Sequence, residues 1–250
     1  MTTRAEFLHR IRTEMGRAPG LVPSATAPRP TRPRERLEVL RRELSERWRE
    51  SLERFAVEFE RVGGVLHRVG DAEEVPGVVA RIAGERRARS VIAWPGATLG
   101  VDVTASLVER GLDALAMPEA EVTPAERARL RAVAAAADVG VTGVDLAVAE
   151  TGTLIVVSGA GRSRSASLLP SCHVAVFDRE ALLESLEQVG VALEAWHDGD
   201  DPTWRGAAIN FITGPSRTAD IELTLTRGVH GPREVHAVFV ERGLDVRRRV

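Results

Sequence analysis

The most regular apolar pattern in the chain runs from residue 35 to residue 62. Leucine, tryptophan and phenylalanine recur there at steps of three and four, with arginine and glutamate between them, at Leu37, Leu40, Leu44, Trp48, Leu52, Phe55 and Phe59. This spacing predicts a long amphipathic helix that ends at the glycines of "RVGG". We expect the apolar stripe to pack on the helix's own domain. A partner protein is the alternative.

Residues 1–34 have a different pattern. Phe7, Leu8, Ile11 and Met15 fall on one side of a short amphipathic helix over 3–15. The following stretch, "RAPGLVPSATAPRPTRPRE", has five prolines and no periodicity. Proline favours extended backbone, so this stretch is predicted to be a linker. The N-terminal residues therefore form a helical arm before the main domain.

Residues 63–250 alternate short apolar runs with amphipathic runs, which predicts an α/β domain whose parallel or mixed sheet is covered by helices on both faces. Thr123 and Pro124 suit the N-cap and first turn of a helix. The run "REALLESLEQVG" is predicted to be a helix. In "AETGTLIVV", two strand-like runs are separated only by Thr-Gly, which predicts an antiparallel hairpin inserted in the sheet.

Composition narrows the function. The net charge is −2 and all 34 basic residues are arginine, so the sequence has no lysine for a Schiff base or a P-loop, and no strong basic excess that would indicate nucleic acid. There is no tyrosine. The one cysteine, Cys172, excludes an intramolecular disulfide or a cysteine-ligated iron–sulfur cluster. No apolar run is long enough for a membrane span or a signal peptide. We therefore expect a cytoplasmic protein.

Three segments have more polar residues than a core requires. The first, "GVDLAVAETGT", contains Asp145, Glu150, Thr151 and Thr153 among apolar neighbours. A carboxylate between buried residues can have a raised pKa and act as an acid, a base or a nucleophile. The alternative is that Glu150 and its neighbours only close the hairpin.

The second segment is "SGAGRSRSASLLPSCH". Its glycines and serines allow the backbone to approach a ligand, and Arg162 and Arg164 can bind a carboxylate or a phosphate through paired N–H groups. The spacing is not that of a dinucleotide fingerprint. A solvated loop explains the same composition. His173, at the start of the next strand, is either a core histidine or a site residue.

The third segment is "GPSRTADIE". Ser216 or Thr218 can cap a helix that begins at "ADIELTL", with Asp220 in its first turn. The free amides of such a helix start, together with Arg217, would also suit an anion. His230 follows between two glycines in "GVHGP". A capped helix start without a ligand is the alternative.

These segments carry a resemblance to a known family. "GVDLAVAETGTLIVVSG", "GRSRSASLLPSCHVAV" and "FITGPSRTADIELTLTRGVHGPREVHAVFVE" resemble, in that order, the LUD (lactate-utilisation) family, and within it the C-type group. The resemblance covers about residues 60–241. It implies a fold similar to the NagB/RpiA/CoA-transferase-like superfamily, a Rossmann-like mixed sheet covered by helices.

The resemblance also implies a function. The chain would be a non-redox subunit of a system that oxidises L-lactate to pyruvate, with iron–sulfur clusters only in partner subunits and no cofactor or metal of its own. Two alternatives remain open: a separate acyl- or CoA-transferase-like enzyme that uses Glu150, and a ligand-sensing regulatory domain.

We expect a single pocket built from all three segments, which binds a small carboxylate or phosphate. Glu150 and Asp220 are the acid/base candidates. The residues expected to bind the anion are Thr151, Thr153, Arg162, Arg164, Ser216, Arg217, Thr218 and His230.

Overall fold

The computed structural model describes residues 3–17, 31–198, 208–218 and 226–246. The chain divides into two compact units, Met1–Arg32 and Pro33–Val250. The first unit contains helix α1, Arg4–Arg17, as the spacing of Phe7, Leu8 and Ile11 predicted. Thr3 and Glu6 begin it with reciprocal hydrogen bonds, from Thr3 N to Glu6 Oε2 (2.7 Å) and from Glu6 N to Thr3 Oγ1 (3.2 Å). Most of the predicted linker lies outside the described residues.

The second unit alternates strands and helices along the chain. In chain order its strands β1 to β12 are Val65–Val69, Ser90–Ala93, Asp113–Ala116, Val139–Gly143, Leu146–Val148, Thr153–Ser158, Cys172–Asp178, Leu182–Leu183, Ala208–Ile212, Arg217–Thr218, Thr226–Arg227 and Glu234–Val240. Its helices α2 to α8 are Pro33–Arg61, Val75–Glu85, Gly96–Leu99, Thr104–Glu109, Pro124–Ala136, Ser165–Leu168 and Leu186–Trp196.

The centre of this unit is a parallel sheet with the strand order β1-β12-β7-β4-β2-β3. Its inner strands are buried on both faces, as expected for a parallel sheet covered by helices. One face packs against α3, α5 and α6, which bury Ile82, Leu107 and Leu130. The fold is therefore a mixed α/β structure with a parallel sheet covered by helices.

The opposite face of the sheet is covered by α2, which buries the apolar stripe. Phe55 stacks on Phe59 with ring centroids 5.1 Å apart, and it meets Phe177 of β7 edge to face at 5.4 Å. Trp48 stacks on Phe239 of β12 at 5.5 Å. The helix bends at Arg47, where the backbone leaves helical geometry. The long amphipathic helix thus packs on its own domain.

Two local predictions were wrong. The β5–β6 hairpin exists, but it is not inserted in the main sheet; it belongs to a second sheet with the order β8-β5-β6-β9. The helix predicted over "REALLESLEQVG" begins later, because Ser185 is its N-cap: the Ser185 side chain accepts the N–H of Gln188. Leu182 and Leu183 pair with β5 as β8 instead, and their side chains fill the core that β5 and β6 share with α2 and α8.

The helix predicted from "ADIELTL" falls on residues 219–225, outside the described residues, and so does Asp220. On either side of it, Arg217–Thr218 and Thr226–Arg227 pair as the short antiparallel strands β10 and β11. By contrast, α6 begins as predicted: Pro124 is in its first turn, and the Thr123 side chain accepts the N–H of Glu126. No helix in the described part of the chain is long and apolar enough to cross a membrane.

Candidate functional site

A cavity of about 830 Å³ lies beside the end of β3. One wall is formed by the residues that follow β3 and by α6. The other wall is the loop over 159–165 and the short helix α7. The lining residues are Met117, Pro118, Ala120, Glu121, Val122, Arg127, Leu130, Arg131, Ser158, Gly159, Ala160, Gly161, Arg162, Ser163, Arg164, Ser165, Leu168, Leu169 and Ala208. The volume is in the upper part of the range for ligand pockets, about 300–1,000 Å³.

The chain topology favours a ligand at this place. In open α/β sheets, ligands bind outside the carboxyl ends of the strands. Met117 and Pro118, which directly follow β3, are in the cavity wall.

The lining is strongly cationic. It contains four arginines, at 127, 131, 162 and 164, and one glutamate, Glu121. Among the described residues, the guanidinium groups of Arg127, Arg131 and Arg164 have no ion-pair partner. Three serines also line the wall: the Ser158 hydroxyl donates to the carbonyl of Ala208 at 3.2 Å, and the hydroxyls of Ser163 and Ser165 are hydrogen-bonded to each other. The wall can therefore bind an anion through charge and hydrogen bonds together.

Arg162 is different because its charge is already paired. Its Nη1 donates to Asp145 Oδ1 at 2.6 Å, and the two side chains are only 13% and 7% exposed. The other oxygen of Asp145 accepts the N–H of Val157 at 2.7 Å. The guanidinium also lies over the Trp94 ring, 5.7 Å from its centroid. Arg162 thus has a fixed position in the wall but supplies little uncompensated charge.

Backbone contacts hold the cavity loop in place. Gly159 and Arg162 exchange two backbone hydrogen bonds, and Gly161 between them has φ +67°, which favours glycine. Trp94 Nε1 donates to the carbonyl of Ser163 at 3.0 Å. Trp94 directly follows β2, so the central sheet positions the loop that carries the arginines.

Helix α7 lies directly on the sheet because β4 has a glycine there. A Cβ atom at Gly140 would be 1.8 Å from the carbonyl oxygen of Ala166. Only a residue without a side chain permits this approach. The side chains of Leu168 and Leu169, which follow on the same segment, are 39% and 38% exposed and line the cavity.

The Glu150 hairpin lies away from the cavity. Thr153 and Ser158 are the two ends of β6, about 17 Å apart, and the cavity is at the Ser158 end. At the other end, Glu150 is exposed and its Oε2 accepts the N–H of Leu186, in the first turn of α8, at 3.0 Å. Thr151 and Thr153 share a hydrogen bond of 2.7 Å. A catalytic role for Glu150 stays a prediction.

The "GPSR" segment lies next to the hairpin. Thr213 Oγ1 is 2.8 Å from Thr153 Oγ1. The Arg217 guanidinium donates to the carbonyl of Val62, which follows the C-terminus of α2, where a cation is favourable. Thr218 is buried.

Ser216 organises the loop after β11. Its Oγ accepts the N–H of His230 at 3.3 Å, and its carbonyl accepts the N–H of Gly228. His230 itself is exposed. A side chain at Gly231 would contact both Ser216 and Leu168, so this loop reaches the edge of the cavity wall.

The expected single pocket is therefore not formed by the described residues. Arg162 and Arg164 line the cavity. Glu150, Thr151 and Thr153 are at the opposite end of β6. Ser216 lies near the rim of the cavity without lining it.

Sequence reasoning missed Arg127 and Arg131. They were hidden in "TPAERARLRAV", which reads as an ordinary helix with a solvated charged face. Their spacing of four residues places both on one side of α6, about 6 Å apart along its axis. That spacing was the available signal, but only the neighbouring loop shows which side of the helix faces a cavity.

The other titratable candidates are buried and unreactive. His173 is fully buried, and its Nε2 is 2.8 Å from Thr142 Oγ1. Burial lowers the pKa of His173 to about 3 and raises the pKa of Cys172 to about 12. Both residues are therefore neutral at physiological pH.

A pair of histidines lies away from the cavity. His67 Nε2 of β1 and His236 Nδ1 of β12 are 3.0 Å apart. Burial, followed by the charge of His236, lowers the pKa of His67 to about 4. Within the described ranges, no group of three or more histidine, cysteine, aspartate or glutamate side chains is placed to hold a metal ion.

Comparison with known proteins places these features in a family. The LUD domain family matches residues 52–240. A lactate utilization protein C from Halalkalibacterium halodurans is 35% identical over 158 residues, which are 63% of this chain and 65% of that protein. One from Exiguobacterium sp. is 40% identical over 110 residues, 44% of this chain and 47% of that protein. The chain thus spans less than two thirds of the length of these two relatives.

Two further matches are more extensive. A lactate utilization protein C from Oceanobacillus iheyensis is 30% identical over 172 residues, 68% of this chain and 71% of that protein. The crystal structure of a DUF162 family protein from Deinococcus radiodurans has a TM-score of 0.52 at 25% identity, and the match covers 77% of this chain and 98% of that chain.

Proposed function

Since the chain belongs to the LUD domain family, we propose that it serves in lactate utilisation as a non-redox subunit that binds a small anion. The oxidation of L-lactate to pyruvate would then take place in partner proteins that carry iron–sulfur clusters. The similarity to relatives named lactate utilization protein C supports a role in lactate utilisation. The single cysteine supports the assignment of iron–sulfur chemistry to other chains, since such clusters are held by several cysteine thiolates.

The cavity beside β3 is the observation that supports the binding of an anion. Three arginines without an ion-pair partner among the described residues, Arg127, Arg131 and Arg164, line one volume of about 830 Å³ together with Ser158, Ser163 and Ser165. Like charges on neighbouring side chains repel, so their concentration on one wall favours an anion between them. Arg162, fixed by Asp145, adds N–H donors in a defined position.

The partner proposal is tested with the full chain in its native host. A tagged copy is purified, co-purifying proteins are identified by mass spectrometry, and lactate-dependent reduction of an artificial electron acceptor is measured. We expect iron–sulfur proteins in the complex and activity only when they are present. Lactate oxidation by the isolated chain, or unchanged lactate oxidation in a host that lacks it, would contradict a non-redox subunit role.

Anion binding in the cavity is tested with two variants of helix α6. Arg131→Gln removes one cavity charge, while Arg129→Gln removes a charge from the same helix outside the cavity. Arg129 is exposed and paired with Glu126 at 2.7 Å, and such surface pairs contribute about 0–1 kcal/mol. We expect only Arg131→Gln to lower lactate-dependent activity of the complex. Equal losses in both variants would contradict a specific role for the cavity.

A further inference from the structure

The cavity contains a second feature besides its charge, which is an apolar surface. Leu168, the last residue of α7, and Leu169, which follows it, remain 39% and 38% exposed although α7 packs on the sheet. Both line the cavity, together with Leu130 and Val122 on the opposite wall and Met117 at its end. Exposed leucines next to one another, inside a concave surface, indicate a ligand with an apolar part.

The charge of the wall indicates the other part of the ligand. Arg127 and Arg131 are one helical turn apart on α6, and Arg164 lies on the facing loop. Three arginines without an ion-pair partner among the described residues exceed what a single carboxylate can neutralise. A phosphate monoester has nearly two negative charges at neutral pH and three acceptor oxygens, so it can be bound by two or three guanidinium groups at once.

The size of the cavity also indicates a ligand larger than lactate. Lactate has three carbons and one carboxylate, and it would occupy only a small part of about 830 Å³. No aromatic side chain of the described residues lines the cavity, so the described part of the wall offers no ring on which a planar base would stack. The apolar lining is aliphatic.

We propose that the cavity binds an amphipathic phosphorylated ligand, whose phosphate is held by Arg127, Arg131 and Arg164 and whose aliphatic part lies against Leu168 and Leu169. This deepens the anion-binding proposal and rests on it. The ligand is thus distinct from L-lactate, and the subunit would connect lactate utilisation to a second, phosphorylated molecule.

The test uses four simple probes with the full chain, measured by isothermal titration calorimetry at low ionic strength. Methyl phosphate and hexyl phosphate have the same phosphate group and differ only in the length of the alkyl chain. Hexanoate has an alkyl chain on a single charge, and L-lactate is the metabolic anion. Each buried methylene contributes about fourfold in affinity. We expect hexyl phosphate to bind at least about tenfold more tightly than methyl phosphate, and more tightly than hexanoate or lactate.

Two variants of the protein test where the alkyl chain of the ligand lies. The double variant Leu168→Ser/Leu169→Ser changes two exposed side chains, so the fold should be retained. Leu186→Ser is the control, because Leu186 is 47% exposed on α8 and does not line the cavity. We expect the double variant to bind both alkyl phosphates with the affinity of methyl phosphate, and the control to keep the difference between them.

The outcomes separate the two proposals. If methyl and hexyl phosphate bind equally, or if the double variant keeps the difference, the apolar subsite is wrong and the anion site stands. If hexanoate binds as tightly as hexyl phosphate, the ligand is not a phosphate. If none of the four probes binds, the anion site itself is wrong.

Discussion

The contact between β4 and α7 allows a direct test of how the fold positions the cavity. An alanine methyl group at Gly140 would be 1.8 Å from the carbonyl oxygen of Ala166 and 3.0 Å from Pro170 Cγ. The nearest neighbour is backbone, so no side-chain rotation can relieve the contact. To restore a normal separation, α7 and the cavity loop would have to move by roughly 1.5 Å. Overpacking of this kind costs about 1–3 kcal/mol.

We therefore expect Gly140→Ala to lower the free energy of unfolding by about 1–3 kcal/mol, measured by urea titration, and to weaken phosphate binding in the same preparation. Gly190→Ala is the matched control. Gly190 lies inside α8, and a Cβ atom there meets nothing within 4 Å. Alanine is the better helix former, so the control should gain about 0.5–1 kcal/mol and bind phosphate as the wild type does.

Wild-type stability and wild-type phosphate affinity in the Gly140→Ala variant would contradict this prediction. That result would mean that α7 is not held against β4 at the observed distance. A variant that is destabilised but binds normally would separate the two claims, because α7 would then contribute to stability without positioning the arginines.

Three further predictions follow from buried groups. Arg162→Met leaves Asp145, only 7% exposed, without its ion-pair partner, so the free energy of unfolding should fall by about 3–5 kcal/mol in a urea titration; a loss below the scatter of the measurement would contradict the buried pair. Burial lowers the pKa of His173 to about 3, below its unfolded value of about 6.5, so the unfolded chain binds one more proton between these values. His173 alone should lower stability by up to about 1.4 kcal/mol per pH unit as the pH drops below 6.5, in addition to the contribution of His67, so His173→Gln should show a shallower dependence by that amount, whereas identical slopes would exclude the shift. Finally, burial raises the pKa of Cys172 to about 12, so a thiol reagent should label it only as fast as the chain unfolds, and rapid labelling of the native protein would contradict its burial.

Much of the fold was predictable because its signals are local. The step of three and four along Leu37 to Phe59 defines α2 whichever surface it packs on, and Thr123 with Pro124 defines the start of α6. The hairpin at Glu150 was also predicted. Its separation from the main sheet was not, because strand order depends on contacts between distant parts of the chain.

The helix after β7 shows the limit of local reasoning more clearly. Leu182, Leu183 and Leu186 fit one helical face in the sequence. In the structure, Leu182 and Leu183 pair with β5, and the side chain of Ser185 caps the helix only after them. The pairing with β5 buries both leucines, which outweighs a preference for helix over two residues.

The candidate site was predictable only in part. Arg162 and Arg164 were predicted from the composition of their segment, and both line the cavity. Arg127 and Arg131 were missed, because an arginine on an exposed helix face has the same sequence pattern whether it faces solvent or a cavity. The side-chain partners of Arg217 and Glu150 are backbone groups at helix ends, which no motif in the sequence reveals.

Anion binding in this cavity is tested most directly by the affinity of the full chain for inorganic phosphate, measured by isothermal titration calorimetry for the wild type, Arg127→Gln/Arg131→Gln and Arg129→Gln. Each charged hydrogen bond contributes about 1.5–3 kcal/mol, so the double variant should lose at least about a hundredfold in affinity, and Arg129→Gln should match the wild type. An unchanged affinity in the double variant, or an equal loss in Arg129→Gln, would contradict an anion site in this cavity.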